Sequence, residues 1–99
     1  VQAAIKYCSE NGIPVGAICA APSVLGKLGL LSGRNAVCFP GFEQYLTGAH
    51  VQNKLCVTDG KFTTACGAGA AIAFGVELVK VLCGVEKSNE IFHAIVADR

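Results

Sequence analysis

The 99-residue sequence predicts an α/β layered fold whose sheet is unfinished. Helical spacing and short β-prone runs alternate along the chain, and an Asp-Gly pair separates two β-prone runs. Apolar residues make up 53% of the chain and charged ones only 15%, against about 25% charged in an average protein. A chain this short has much surface and little interior. The excess of Ala, Val, Ile, Leu and Cys therefore implies packing against further protein, in a larger domain or an obligate oligomer. The larger domain is the favoured expectation.

Val1, Ala4, Ile5 and Cys8 recur at i, i+3, i+4 and i+7, predicting a helix that ends near Asn11-Gly12. No capping residue precedes Val1, which adds to the expectation that residues 1–99 are part of a longer domain. Gly12-Ile13-Pro14 breaks the chain, and Val15–Ile18 reads as a short buried strand. Pro22 suits a first helical turn, because its missing N–H is an orphan there anyway. A helix over 22–30 follows, closed by Gly29 and Gly33. Asn35–Phe39 reads as the next strand, a parallel neighbour of Val15–Ile18. Pro40-Gly41 stops it, and Phe42–Thr47 is compatible with a short helix. The runs 55–58 and 61–64 flank Asp59-Gly60, which predicts a hairpin with a type I′ turn. A helix over 68–82 is apolar nearly all round, so it should be sandwiched between layers. Gly84 ends it, and Ser88 is placed to N-cap a last helix with Ile91, Ile95 and Val96 on its apolar side.

A net charge of +1 with no Lys/Arg cluster gives no footprint for nucleic acid. No segment reaches the roughly 20 apolar residues of a membrane span; 68–85 comes nearest but carries Glu77 and Lys80. There is no basic stretch followed by a cleavable apolar core. Six cysteines, at 8, 19, 38, 56, 66 and 83, form no Cys-x-x-Cys pair and stand mostly in apolar runs. Disulfide scaffolds compensate for a missing core, whereas this chain has core material in excess. Reduced thiols and a cytoplasmic location are the expectation.

Gly16-Ala17-Ile18-Cys19-Ala20-Ala21-Pro22 is the segment richest in chemical meaning. It reads as a turn from a buried strand into a helix, with a cysteine between small residues. A nucleophile on so sharp a bend needs small neighbours, and the helix start favours thiolate over thiol. Cys19 is the candidate nucleophile or redox centre; a buried structural thiol is the alternative. Cys8, Cys56 and Cys83 read as packing thiols. Cys38 and Cys66 stand at the C-terminal ends of strands, the edge where open α/β sheets bind ligands. Gly67-Ala68-Gly69 lacks the third glycine of a dinucleotide-binding loop, since Ile72 stands there; close packing of a helix start explains it better. His50 and His93 have no second ligand at metal spacing. Asp59 reads as a turn residue, and neither Glu43 nor Glu77 reads as catalytic. No metal and no cofactor are expected.

Around Ala17-Ile18-Cys19-Ala20-Ala21-Pro22 the chain resembles the ThiJ/PfpI superfamily, nearest its small branch, which includes a parkinsonism-associated protein deglycase and bacterial ThiJ-like proteins. The blocks 37–41 (VCFPG), 57–64 (VTDGKFTT) and 67–74 (GAGAAIAF) agree in order and spacing. The resemblance runs from residue 1 to about residue 97 and covers the C-terminal half of the family domain. It implies a flavodoxin-like three-layer α/β sandwich, with residues 1–99 as the C-terminal part of one domain, an incomplete sheet and a homodimer. It further implies that Cys19 is the reactive cysteine and that the Ala20 N–H forms part of an oxyanion site. Ala21, Pro22, Phe39, Pro40 and Cys66 would shape the pocket. A glutamate that hydrogen-bonds the cysteine would come from the N-terminal half.

Four departures narrow the chemistry. Phe39 stands where the deglycase has a histidine, and Cys66 where relatives often carry arginine or glutamine. Ala20 replaces the histidine that follows the cysteine in the peptidase branch, and His93-Ala94-Ile95 is not the His-x-Glu of glutamine amidotransferases. Peptide and glutamine hydrolysis are thereby disfavoured. What remains is cysteine-dependent glyoxalase- or deglycase-like chemistry on small reactive carbonyls or their adducts. The alternative is a redox-sensing or chaperone-like stress protein in which Cys19 is oxidised.

Overall fold

The computed structural model describes residues 1–97. Its elements are α1 (Gln2–Glu10), β1 (Val15–Ile18), α2 (Pro22–Lys27), β2 (Asn35–Ala36), β3 (His50–Val51), β4 (Cys56–Asp59), β5 (Phe62–Ala65), α3 (Ala71–Cys83) and α4 (Val85–Ala94), with 3-10 turns at Glu43–Tyr45 and Ala68–Ala70. The expected α/β alternation is present.

The sheet runs β1-β5-β4, with β1 parallel to β5 and β4 antiparallel to it. The expected neighbour of β1, the segment 35–39, does not pair with it. Only Asn35–Ala36 is strand, and it pairs in parallel with His50–Val51, an element with no local signal in the sequence. The 35–39 segment is instead tied to the sheet by side chains. Val37 N–H donates to Thr64 Oγ1 at 3.0 Å, and Asn35 N–H donates to Asp59 Oδ2 at 2.8 Å.

That second bond also explains a shifted turn. Asp59 ends β4 opposite Phe62, so the loop residues are Gly60 and Lys61. Of these only Gly60 has positive φ, at 61°. A type I′ turn needs positive φ at both positions, whereas glycine at the first is the type II′ pattern. The hairpin is present, one residue out of the expected register.

Alternation along the strands sets two faces. On one, Ala17 and Phe62 join Leu25, Leu31, Ala36, Cys38 and Leu46 in the core, with Ile5 and Val15 packed against it. α2 is shorter than expected, and it is fitted tightly: a Cβ at Gly26 would overlap the Tyr45 carbonyl oxygen. On the other face α3 crosses β1, where a Cβ at Gly16 would lie 3.0 Å from the Phe74 ring and 3.1 Å from Leu78. There Thr58 Oγ1 donates to Glu77 Oε2 at 2.7 Å and also bonds Thr63 Oγ1 at 2.9 Å.

α3 is not sandwiched among the described residues. None of its residues is buried, and Ile72 and Leu82 are 60% and 68% exposed. Cys83, expected on a packed face, is exposed too. Gly84, at φ 94°, both ends α3 and precedes α4, so Ser88 lies inside α4 rather than capping it. Its buried hydroxyl donates to the Val76 carbonyl at 3.1 Å, tying α4 to α3. Ile95 and Val96 fall beyond the helix and are half exposed. Gly69 has nothing within 4 Å of a Cβ, so helix packing does not account for it.

Candidate functional site

Cys19 follows the last residue of β1 and has φ 65°. For an L-residue this left-handed conformation costs about 1–2 kcal/mol. The bend is held on both sides. Cys19 N–H donates to the Ala65 carbonyl at 3.0 Å, closing the last pair of the β1–β5 ladder, and the Cys19 carbonyl accepts the Phe39 N–H at 2.8 Å. Beyond it, Ser23 N–H and Ser23 Oγ both donate to the Ala20 carbonyl, at 3.0 and 2.6 Å. Among the described residues no backbone acceptor takes the Ala20 N–H.

The same bonds gather residues far apart in sequence. Phe39 is bonded to Cys19 and lies 3.4 Å from where a Gly67 Cβ would stand, beside Cys66. Phe39 is 44% exposed and meets Phe42 edge-on at 6.3 Å between ring centroids. Cys19 and Cys66 are partly exposed. Pro22 is fully buried at the first position of α2.

Two concavities flank this point. The larger, about 440 Å³, is lined by Pro40 and Cys66 together with Cys38, Glu43, Leu55 and the polar loop Gln52-Asn53-Lys54. The smaller, about 280 Å³, lies against β1 and α2 and is lined by Ala21, Ala17, Val24 and Ile5 among others. Cys19, Ala20 and Phe39 line neither. The 52–54 loop was missed by the sequence reading, because three polar residues after a two-residue strand carry no distinguishing pattern.

All six cysteines carry free thiols. Burial, and then the Glu43 carboxylate, push the Cys38 thiol upward. Burial and then Glu77 push Cys56 up to about 11. Both groups resist ionisation at neutral pH and suit packing roles. Glu43 is engaged locally, accepting the Gly41 N–H at 2.9 Å. Among the described residues no cluster of three His, Cys, Asp or Glu side chains could hold a metal. No described helix is long and apolar enough to cross a membrane.

Comparison with known proteins agrees with this geometry. The model of the DJ-1/PfpI family matches residues 1–81. Protein dj-1beta of Drosophila melanogaster is 37% identical over 89 residues, covering 88% of this chain and 48% of that protein. A protein named as a deglycase in Pyrococcus abyssi is 34% identical over 84 residues, 83% of this chain and 50% of its own length. A protein named glutathione-independent glyoxalase in Caenorhabditis elegans is 29% identical over 89 residues, 88% of this chain and 47% of that one. The crystal structure of Drosophila DJ-1beta superposes with a TM-score of 0.87 at 31% identity, over 97% of this chain and 53% of that one. The chain thus spans about half the length of these relatives, and its small mixed sheet is part of their flavodoxin-like α/β fold. With the family model matched over most of its length and the backbone superposing on a solved member, the chain belongs to the DJ-1/PfpI family.

Proposed function

We propose that Cys19 is a nucleophilic thiol acting on small reactive carbonyls or their adducts, in glyoxalase- or deglycase-like chemistry. The observation that carries this reading is the left-handed backbone at Cys19. A residue other than glycine is held in a costly conformation where a strand turns into a helix, by hydrogen bonds to Ala65 and Phe39. Strain of this kind persists only where surrounding structure over-determines it, and it clusters at functional sites. The names carried by the Pyrococcus and Caenorhabditis relatives indicate the substrate class.

In this reading the Cys19 thiolate attacks the aldehyde carbon of a dicarbonyl, forming a C–S bond while the carbonyl electron pair moves to oxygen. The oxyanion accepts the unengaged Ala20 N–H and is then protonated, giving a hemithioacetal. Proton transfer from the sulfur-bearing carbon to the neighbouring carbonyl carbon gives a thioester. Water cleaves it to a 2-hydroxy acid and restores the thiol. The acid–base group for these transfers is assigned to an N-terminal half of the same domain, for which residues 1–99 are the C-terminal complement. The edge of β1 that does not face β5 is where strands of that half would add. Pro40 and Cys66 from the larger concavity, Ala21 from the smaller, and Phe39 and Pro22 beside Cys19 would shape the pocket from this chain. A homodimer in the cytoplasm completes the proposal.

One observation favours a second reading, in which Cys19 is a redox sensor. Phe39, whose backbone N–H bonds the Cys19 carbonyl, carries a phenyl ring that offers no base to assist turnover. Methylglyoxal consumption by the complete protein, abolished in Cys19→Ser, supports the enzyme. No consumption, with peroxide adding oxygen selectively to Cys19, supports the sensor and overturns the enzyme.

A further inference from the structure

We infer that Cys66 is a resolving thiol for Cys19, so that mild oxidation closes a reversible Cys19–Cys66 disulfide at the end of the β1–β5 pair. The inference rests on the reading of Cys19 as a reactive thiol. Its geometric basis is the parallel register, in which Val15, Gly16, Ala17 and Ile18 stand opposite Phe62, Thr63, Thr64 and Ala65. Cys19 and Cys66 are the residues that directly follow the last pair of that register, Ile18 and Ala65. The Cys19 N–H donates to the Ala65 carbonyl at 3.0 Å, the bond that closes the Ile18–Ala65 pair and holds Cys19 against the residue before Cys66.

Neighbouring strands lie about 4.8 Å apart, and a disulfide is formed across Cα separations of roughly 4.4–6.8 Å. Up to Ile18 and Ala65 the parallel partners share a face of the sheet. Cys66 follows Phe62 and Thr64 in alternation, on the face to which Ala17 and the Val37 amide belong. Both thiols are partly exposed, so an oxidant reaches the pair from solvent. The remaining cysteines are worse placed. Cys38 is buried, and Cys56, though near enough to Cys66 to feel its charge, opposes Ala65 on the other face and resists ionisation.

The chemistry needs a hydroperoxide as oxidant. The Cys19 thiolate displaces the alcohol or water from the peroxide oxygen and becomes a sulfenic acid. The Cys66 thiolate then attacks the Cys19 sulfur, the S–S bond forms, and hydroxide leaves as water. A dithiol reverses it. The closed pair would hold Cys19 short of the sulfinic acid, which a lone sulfur reaches with a second equivalent of peroxide.

The test is peptide mapping of the complete protein after one equivalent of hydrogen peroxide, in wild type, Cys66→Ser and Cys66→Ala, with dimedone as a sulfenic-acid trap. The wild type should yield a Cys19–Cys66 linked peptide, lose two free thiols and regain them with dithiothreitol. Both Cys66 variants should instead give dimedone-labelled Cys19 and, with excess peroxide, sulfinic acid at Cys19. Cys19 labelled by dimedone in the wild type without a linked peptide overturns the pairing and leaves the reactive Cys19 standing. Unmodified Cys19 in all three proteins overturns both. A Cys38–Cys66 link overturns the pairing as well.

Discussion

Phe39 donates its backbone N–H to the carbonyl oxygen of Cys19 across 2.8 Å, joining two segments twenty residues apart at the point where β1 turns into α2. The bond fixes the peptide that follows the strained residue, so the turn cannot relax by rotating that peptide away. Among the described residues the neighbouring Ala20 N–H has no backbone acceptor.

Relief of that strain is measurable. Glycine has no Cβ to collide in the left-handed region, so Cys19→Gly should be more stable than Cys19→Ala by about 1 kcal/mol. Urea unfolding of the two variants of the complete protein checks this. Equal midpoints, or a more stable alanine variant, would mean that the φ of 65° carries no strain.

Gly26 makes the opposite case. In an exposed helix Gly→Ala gains about 1 kcal/mol from propensity. Here the new Cβ would overlap the Tyr45 carbonyl oxygen and lie 2.8 Å from Leu46 Cα. Both are backbone, which moves only with the 3-10 turn it belongs to. Overpacking costs about 1–3 kcal/mol, so Gly26→Ala should be destabilising by denaturant titration.

The Cys56 thiol gives a pH dependence of known sign. Burial, then Glu77, raise it from 9.0 to about 11, so the folded state holds this proton more tightly than the unfolded one. Its contribution is complete below pH 9 and is lost as pH rises through 11. The stability difference between wild type and Cys56→Ala should therefore shift against the wild type across that window. Glu77→Gln should shrink the shift by removing the repelling charge. A difference that stays flat with pH would contradict the assignment.

Residues with a strong local preference were legible from sequence. Gly12, Gly29, Gly33, Gly60 and Gly84 all adopt positive φ where the chain turns; α1 and β1 fall where periodicity puts them, and the hairpin forms one residue from where its turn chemistry puts it. What was not legible was decided at a distance. β1 pairs with β5 rather than with residues 35–39, a choice among β-prone runs that local pattern cannot make. Asp59 leaves the turn because its carboxylate accepts the Asn35 N–H and approaches Arg34 at 3.7 Å. Ser88 bonds Val76 instead of capping because Gly84 already starts the helix. For the candidate site, the small residues around Cys19 were visible in the sequence. Phe39 reaches it through a long-range backbone bond, and Cys66 follows the residue paired with Ile18, neither of which a local pattern shows.

The account stands most directly on the reactivity of one sulfur, and residue-resolved alkylation with iodoacetamide at neutral pH measures it. Cys83 is exposed and lies at the end of α3, so it serves as an internal reference for an accessible thiol. Cys19, though only partly exposed, should be modified about tenfold faster than Cys83, as expected for a thiol activated by its surroundings. Modification of Cys19 at the rate of Cys83 or slower would contradict its assignment as the nucleophile.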